Sequence, residues 1–385
     1  MRKETRFKFN QYLTRLAELN GIGVEDLNKK FSVEPSVTQT LFEKIQQSSS
    51  FLQQINMVVV RELTEEKVGI DVNGTIASTA DTDNGVKRQT ADFSKMDAYR
   101  YFCKPVNFDY HLKYNKLDLW ARFQDFQTRI RDAIVKRQAL DYITIGFNGV
   151  SRAATSDRQK NPLLQDVAVG WLQKYRNDAP ERVMHNVTDE AGKILSEKIT
   201  VGEKGYYKNL DALVMDAHES LIAEIHRENP DMVVICGRRI LTDKYFPMIN
   251  KFQPNSEQLA GELIIGQKTI GHLQAVRAPF FPANSIFITT LDNISIYLYE
   301  DGHRRHLIEN PQLDQVENYE QVKVDFVIED YEAGCLIENI EILEPEEKET
   351  PEESPTKVFA QELAIAMKAL ASGNAPATSS TGEGA

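Results

Sequence analysis

The sequence lacks several features that define common protein classes. Only three of its 385 residues are cysteines, and they lie far apart at Cys103, Cys236 and Cys335. They form no CxxC pair and no metal-binding spacing, which favours a reducing compartment. No apolar run reaches about 18 residues, so a transmembrane helix is excluded. The first residues, MRKETRFKFNQ, contain no apolar core, and we therefore expect no secretion signal.

An excess of basic residues is also missing. The chain has 45 Lys and Arg against 57 Asp and Glu, which gives a net charge of -12. This balance argues against a general nucleic-acid-binding protein, which usually needs a basic face. Residues 1–31 carry seven basic and four acidic side chains, whereas residues 341–385 carry three and nine. The asymmetry indicates ends that are separable from the body of the protein.

Motifs for catalysis and cofactor binding are absent as well. The sequence has no GxGxxG, GxxxxGK[ST] or GxSxG, and His272 stands where a P-loop lysine would follow Gly266–Gly271. His218-Glu219 begins like a zinc-protease HExxH motif, but Ile222 takes the place of the second histidine. We therefore predict no catalytic, cofactor-binding or metal-binding residues, no cofactor, and a protein that is not an enzyme.

One small basic cluster stands out, His303-Arg304-Arg305-His306. Three interpretations remain open for it: contact with an anion such as a phosphate, a solvated loop, or a salt bridge between subunits.

The N-terminal part of the chain predicts two helices joined by a linker. Apolar residues recur every three or four positions over residues 4–20, at Phe9, Tyr12, Leu13, Leu16 and Leu19. Gly21 and Gly23 end this run, and residues 21–35 have the composition of a linker. A second helix, capped by Ser36 with Pro35 at its entry, is expected through about Gln47.

A long polar segment follows two predicted strands, Ile55–Leu63 and Lys67–Val72. Residues 73–94 are rich in Thr, Ser, Asp and Gly and offer little to bury. Loops of about twenty residues without a core of their own are uncommon in compact domains and are usually functional or disordered. We expect this segment to be mobile or to be ordered only by a partner chain. A returning strand is predicted at Phe108–Tyr114.

The middle of the chain mixes helices and strands, which predicts an α+β fold. The strongest helix signal covers Leu117–Phe147, with a predicted stripe at Leu119, Phe123, Phe126, Ile130, Ala133, Leu140 and Phe147. Roughly thirty helical residues span about 45 Å, so this helix should form a spine. A helix over residues 210–228 capped by Asn209, and a buried strand at Met232–Cys236, come next. Val322–Glu329 and Ala333–Leu343 are predicted to pair as closing strands.

The C-terminal 42 residues differ from the body in composition. Residues 344–353 contain six Glu, one Lys and two Pro, which is typical of an extended, disordered spacer. Thr356–Ala371 then places Phe359, Leu363, Ala366 and Leu370 at helical spacing. We expect a short docking helix there, or a tolerated extension without function.

Several long sequence blocks resemble one protein family. They are RFKFNQYLTRLAELNG at 6–21, KKFSVEPSVTQTL at 29–41, DLWARFQDFQTRIRDAIVKRQ at 118–138, GFNGVSRAATSDRQKNP at 146–162 and ENYEQVKVDFVIEDYEAGCLIENI at 317–340. Together they closely resemble the major capsid protein precursor of the P-two-like tailed bacteriophages, over about residues 1–343. The acidic spacer and the Ala-rich segment after Glu344 depart from that pattern.

The resemblance implies the tailed-phage major capsid fold, often called HK-ninety-seven-like. On this chain it implies an N-arm at 32–54, an E-loop region at 55–115 and a peripheral domain with the spine helix at 116–204. An axial domain at 205–311 and a return to the peripheral domain at 312–343 complete the fold. Residues 1–31 are then a removable N-terminal assembly segment, and residues 344–385 an acidic disordered tail with a short helix.

The same resemblance implies a structural function. Such a protein self-assembles as pentamers and hexamers into the icosahedral head that encloses phage DNA. Its expected partners are itself, an internal scaffold and protease, the portal protein and non-specifically packaged DNA, with no membrane. It is expected in the virion after assembly in the host cytoplasm. The alternatives are another virion structural or scaffold component, or a phage-encoded hydrolase.

Two sets of residues follow as candidate sites. Capsid precursors of this type commonly lose an N-terminal piece to a phage protease, and we place the cut between Gly21 and Pro35, with the bond between Phe31 and Ser32 as the best single position. The alternative is that residues 4–20 remain as a permanent surface helix. The second set belongs to the long polar segment, which we predict to be a subunit-contact loop through Asn73, Thr75, Asp83, Lys87, Arg88 and Phe93.

Overall fold

The computed structural model describes residues 1–66, 77, 99–188, 193–242, 244 and 268–343. Helices and strands are mixed along these ranges, as the sequence predicts for an α+β protein. The helices are α1 (Lys3–Leu19), α2 (Pro35–Gln47), α3 (Tyr114–Trp120), α4 (Phe126–Asn148), α5 (Trp171–Asp178), α6 (Leu210–Leu221) and α7 (Glu224–Arg227). Shorter 3-10 helices lie at Val24–Asn28, Leu52–Gln54, Pro180–Arg182, Leu291–Asn293, Glu300–Gly302 and Pro311–Leu313.

The strands are short, with one exception. In chain order they are β1 (Phe31–Ser32), β2 (Asn56–Val60), β3 (Thr64–Glu66), β4 (Arg100–Phe102), β5 (Lys104–Asn107), β6 (Tyr110–Lys113), β7 (Val183–Met184), β8 (Val187–Thr188), β9 (Ile194–Ser196), β10 (Ile199–Val201), β11 (Met232–Cys236), β12 (Thr269–Ile270), β13 (Leu273–Arg277), β14 (Ile286–Thr290), β15 (Ile294–Tyr299), β16 (Arg304–Asn310), β17 (Gln315–Ile328), β18 (Gly334–Ile337) and β19 (Ile340–Ile342). The exception, β17, has 14 residues.

β17 organises the central sheet, whose strand order is β1-β16-β17-β15-β2. Its first half pairs antiparallel with β16 and with β6, and its second half with β15 and β5. β2 adds a parallel strand beside β15. The central sheet therefore combines strands that lie far apart in the sequence and brings their residues close together.

A second sheet of six strands has the order β12-β13-β11-β14-β18-β7. Its strands β11, β14 and β18 are buried at every position, as expected for a sheet covered on both faces. α6 packs through Leu213, Val214 and Ala217 into the apolar cluster that includes Val234 and Ile288. The predicted strand Met232–Cys236 and the Asn209 cap are both confirmed, the latter by a 2.8 Å hydrogen bond from the Ala212 amide to the Asn209 side chain.

The predicted helix Leu117–Phe147 is wrong in one respect, since it is broken into α3 and α4 around residues 121–125. Leu117 and Phe126 are both buried in the same apolar cluster. Nine residues of continuous helix would turn these side chains about 180° apart, at 3.6 residues per turn. The break resets the helical phase so that both face one core. Leu119, Phe123 and Ala133, predicted on the buried stripe, are exposed.

Three local predictions need correction. α2 begins at Pro35, and Ser36 does not cap it. The helix predicted over 210–228 ends at Leu221. The predicted closing strands do not pair, because β17 belongs to the central sheet while β18 pairs with β14 and β7. Between β17 and β18, the Asp330 amide donates a hydrogen bond to the Asn293 side chain at 2.6 Å. This bond fixes the turn that carries the chain from the central sheet to the second sheet.

The C-terminal half of α4 lies in the largest core cluster, together with α2, α5 and both sheets. Gly146 of α4 lies against the Trp171 indole, where an added Cβ would come closer than 3.0 Å to three ring atoms. The Trp171 ring nitrogen donates to the Ser295 carbonyl oxygen at 2.9 Å. α4, α5 and the central sheet are therefore joined at one point.

Residues 1–343 form one compact unit. The acidic spacer and the helix predicted at Thr356–Ala371 lie outside the described residues. The same is true of the predicted strand Lys67–Val72 and of the segment 73–94 apart from residue 77.

Candidate functional site

The N-terminal segment, residues 1–31, is docked on the body by one face of α1. Phe9, Leu16 and Ala17 of that face are buried, and Phe7 on the opposite face is 65% exposed. Phe9, Leu16 and Ala17 belong to an apolar cluster with a surface of the body that we call the seat. The seat is formed by Leu117, Ala121, Phe126, Ile130, Leu307 and Val316. The seat thus combines residues of α3, of the start of α4, and of strands β16 and β17 in the central sheet.

A carboxylate beside the seat holds the start of α1. Two nitrogens of the Arg6 guanidinium donate to the two oxygens of Glu309, each at 2.6 Å. Tyr114 also donates to this carboxylate, at 2.7 Å. The hydrogen bond from Arg6 lowers the pKa of Glu309, against the opposing effect of burial. This two-pronged geometry fixes the direction of the Arg6 side chain as well as its charge.

Further polar contacts secure both ends of α1. The Lys8 ammonium donates to the Ala121 carbonyl oxygen at 2.6 Å, at the C-terminal end of α3 where a cation is favourable. The backbone nitrogen of Arg2 donates to Asp118 at 2.9 Å. Buried Asn20, at the other end, donates to the Leu16 carbonyl oxygen and accepts from the Glu34 amide. Asn20 therefore links the docked segment to the start of α2.

The proposed cleavage position lies at the edge of the central sheet. Phe31 and Ser32 form β1 and pair antiparallel with Arg305 and Arg304 of β16. Ser32 is exposed and Phe31 is half-buried. The chain is extended at this position, which is the backbone conformation that many peptide-binding clefts accept. The predicted linker 21–35 thus contains a 3-10 helix and this short strand.

The basic cluster at 303–306 leads into a buried ionic centre. His303 and Glu320 are 2% and 3% exposed, and the His303 Nε2 lies 3.1 Å from a Glu320 oxygen. The Thr38 hydroxyl lies 3.0 Å from the other ring nitrogen. Burial alone would raise the pKa of Glu320, but the hydrogen bond with His303 and the charge of Arg305 lower it to about 2.

Arg305 and His306 of the cluster also bind inside the subunit, whereas Arg304 is exposed. Arg305 donates to Asn318 at 2.6 Å and to the Tyr12 hydroxyl of α1 at 3.3 Å. His306 lies 2.8 Å from the Asn28 carbonyl oxygen and stacks on Tyr319. The expectation of a solvated loop is therefore wrong. Arg304, Arg305 and His306 begin strand β16, and His303 lies just before it. His303 and Arg305 are two residues apart, and both lie beside the buried Glu320.

A groove of about 700 Å³ runs beside α4, between the β5–β6 segment and the loop at 152–167. Asp109 and Asp141 line it, and burial raises the pKa of both carboxyls. Such a pair can indicate a catalytic site. Here each acid already has an internal partner, the Glu320 amide for Asp109 and Arg137 for Asp141. The arrangement is that of structural acids.

The predicted contact loop is represented only by its base. β3 and β4 pair antiparallel, from Thr64 opposite Phe102 to Glu66 opposite Arg100. Glu66 and Arg100 also form an ion pair. All three residues of β3 are exposed, whereas Tyr101 of β4 is 4% exposed and packs with Val327 of the central sheet. The predicted contact residues Asn73, Thr75, Asp83, Lys87, Arg88 and Phe93 lie outside the described residues.

The family model for phage major capsid proteins of the P2 family matches residues 8–340. The chain belongs to this family.

The capsid protein is also similar to individual relatives over most of its length. It is 61% identical over 342 residues to the capsid proteins of Escherichia phage P2, covering 89% of this chain and 96% of the relative. It is 42% identical over 353 residues to the major capsid protein of Serratia phage KSP20, covering 90% and 99%. A chain in the satellite phage P4 procapsid structure that includes the size determination (Sid) protein matches with a TM-score of 0.74 and 57% identity, covering 89% of this chain and 99% of that one.

These findings confirm the predicted α+β, HK-ninety-seven-like fold and the predicted function as a major capsid protein of a P-two-like phage. The capsid protein is a component of the virion and a subunit of a multimeric capsid. Its family is one of structural proteins. Among the residues that the structure describes, no group of three or more His, Cys, Asp or Glu is placed to hold a metal ion. Within those residues, no helix is both long and apolar enough to cross a membrane.

Sequence reasoning missed Glu309 and Glu320, the two carboxylates that organise this region. A signal for Glu320 was present, because it continues the alternating buried positions Val324, Val322, Asn318 and Val316 along β17. An acid in the buried phase of a strand needs a cationic partner. The nearby basic cluster at 303–306 was the available candidate.

Proposed function

We propose that the capsid protein assembles as pentamers and hexamers of an icosahedral shell that encloses phage DNA, after synthesis in the host cytoplasm. The observation that carries this proposal is the similarity to a chain of the satellite phage P4 procapsid, at 57% identity over 89% of this chain. A closed shell needs contacts that reach neighbouring copies and tolerate small changes of angle. The exposed strand β3 precedes the polar segment 73–94, which we propose to make such contacts.

Electron microscopy of the purified capsid protein, expressed with a candidate internal scaffold, tests assembly directly. We expect closed shells of uniform size. A soluble monomer at assembly concentrations, with or without scaffold, would argue for another virion role. The scaffold with its protease and the portal protein are the partners we propose, and DNA contact is proposed to be non-specific.

The second part of the proposal concerns residues 73–94 as the subunit-contact loop. The supporting observation is their position in the sequence between the paired strands β3 and β4, together with a composition that offers little to bury. Hydrogen exchange in this segment should be slower in assembled shells than in free subunits, because contacts with a neighbour protect the amides. Exchange at equal rates in both states would contradict the role.

The third part is removal of residues 1–31 by cleavage between Phe31 and Ser32. This bond lies in an extended edge strand with Ser32 exposed. The cut would remove seven basic and four acidic side chains and leave a more acidic shell protein. An acidic inner wall does not adhere to packed DNA. The intact mass of the protein from mature particles tests the cut, and a full-length N-terminus would rule it out.

A further inference from the structure

The contacts that hold the N-terminal segment do not depend on the bond proposed to be cut. The buried residues of α1 lie more than ten positions before that bond, as does the pair between Arg6 and Glu309. Near the bond itself, residues 1–31 contribute only one position, Phe31, to the two-residue strand β1. Cleavage would therefore remove a covalent connection and leave the docked surface intact.

We propose that cleavage between Phe31 and Ser32 does not release residues 1–31, and that the excised segment stays bound in the seat as a separate peptide. This inference deepens the proposed removal of the segment by dividing it into two events, a cut and a later release. It makes the seat a peptide-binding surface whose ligand is the N-terminal segment of this chain.

The apolar contacts support retention. Phe9 and Ala17 are 3% and 2% exposed, so the peptide buries large and small side chains alike. On the body, Leu117, Phe126 and Ile130 are all buried beneath the segment or beside it. Release would expose apolar groups on both partners at the same time. The hydrophobic effect opposes that exposure whether or not the chain is continuous.

The polar contacts give the bound peptide one orientation. Arg6 meets Glu309 through two parallel hydrogen bonds, and Lys8 meets the carbonyl oxygen of Ala121. The Tyr12 hydroxyl accepts a hydrogen bond from Arg305, whose guanidinium is otherwise enclosed by Asn318 and Tyr110. If the peptide left, these groups would each lose a partner at a surface that is partly buried, which adds to the barrier against release.

What cleavage does remove is the high effective concentration of a tethered ligand. After the cut, the peptide stays bound only while its concentration exceeds its dissociation constant for the seat. Release then depends on a change in the seat or on competition for it.

The test uses the full chain with the recognition sequence of a site-specific protease inserted between Phe31 and Ser32. After digestion, gel filtration separates free peptide from the body. We expect the peptide to co-elute with the body at micromolar concentration. Complete separation of the peptide at that concentration would overturn the proposal.

Affinity is then measured in trans, so that folding of a variant body is not in question. Labelled synthetic peptides of residues 1–31 are exchanged onto the digested, otherwise unaltered chain. The variant Phe9→Asp should bind at least about 100-fold more weakly than the native peptide, because its charge would be buried. The matched variant Phe7→Asp should bind like the native peptide, because Phe7 is exposed. Equal binding of the two variants would overturn the proposal.

The two proposals fail separately. A full-length N-terminus in mature particles would contradict cleavage in the phage, but it would not change the affinity measured for the seat. Loss of the peptide from the digested chain contradicts retention and leaves natural cleavage untouched.

Discussion

The imidazole of His303 and the carboxylate of Glu320 face each other inside the protein, with Nε2 and Oε1 3.1 Å apart. His303 follows the 3-10 helix at Glu300–Gly302, and its carbonyl oxygen also accepts from the Val33 amide. Through Thr38, the same histidine reaches α2. The pair therefore joins the chain just after the proposed cleavage position to the longest strand of the central sheet.

Glu320→Gln should destabilise the protein by about 3–5 kcal/mol, because it removes the negative charge from the buried pair with His303 and from beside half-buried Arg305. Urea denaturation of the purified protein measures the change in the free energy of unfolding. Glu43→Gln is the control, since Glu43 is exposed on α2. Equal stability of the two variants would show that the buried carboxylate contributes little net stability.

The same carboxylate predicts a pH dependence of stability. The pKa of Glu320 is lowered from 4.5 to about 2, so its charged form is favoured in the folded state. Its contribution is fully present above about pH 4.5 and is lost as the pH falls toward about 2. The free energy of unfolding should therefore fall less steeply between pH 5 and about pH 3 in Glu320→Gln than in the parent. Parallel curves would contradict the assignment.

Gly146→Ala should destabilise the protein. In a helix, alanine is favoured over glycine by about 1 kcal/mol. Here the added Cβ would overlap the Trp171 ring, and overpacking typically costs about 1–3 kcal/mol or more. The clash should win because Trp171 is fully buried and cannot move aside. Thermal unfolding measures the outcome, with Gly23→Ala as the control, where the nearest atom belongs to the flexible Asp26 side chain. A Gly146→Ala variant as stable as the control would contradict the packing.

The three cysteines should be unreactive toward iodoacetamide at pH 8 in the folded protein. All three are buried, and burial raises the pKa of Cys103 and of Cys236 to about 12. The thiolate that reacts is therefore scarce. Mass spectrometry should find no labelled cysteine until denaturant is added. A Ser36→Cys variant, exposed on α2, should label readily and shows that the reagent is active.

Deletion of residues 344–385 should leave folding and shell assembly intact. The compact unit ends at Leu343, whose amide donates to the Val201 carbonyl oxygen as the last described backbone contact. The midpoint of urea unfolding should be unchanged, and shells should still appear by electron microscopy. A truncated chain that fails to fold or to close a shell would place the tail in the core of the protein.

The sequence was most informative where a pattern depends on local spacing. α1, the Asn209 cap and the strand Met232–Cys236 follow from periodicity and capping chemistry alone. The break between α3 and α4 could not be foreseen in this way, because each half has a good helical pattern. Only the shared core of Leu117 and Phe126 requires the change of phase, and that core depends on contacts with α1 and the sheet.

The docking site was predictable in part. The amphipathic pattern indicated the buried side of α1, but the position of its partner surface depends on tertiary pairing across about 300 residues. Glu309 shows no local signal of its role, since Arg6 and Tyr114 reach it only in the folded chain. The boundaries predicted for the arm, loop and domains stay predictions, although β15 and β16, within 205–311, pair with β17 in the central sheet.

The break between α3 and α4 gives the docked N-terminal segment a second structural role. α1 reaches across the interruption, from Asp118 in α3 to the Ala121 carbonyl oxygen and on to the cluster that contains Ile130. α1 therefore braces the two helices across the break between them. While α1 stays docked, its contacts with α3 and with the cluster of α4 hold the angle between the two helices.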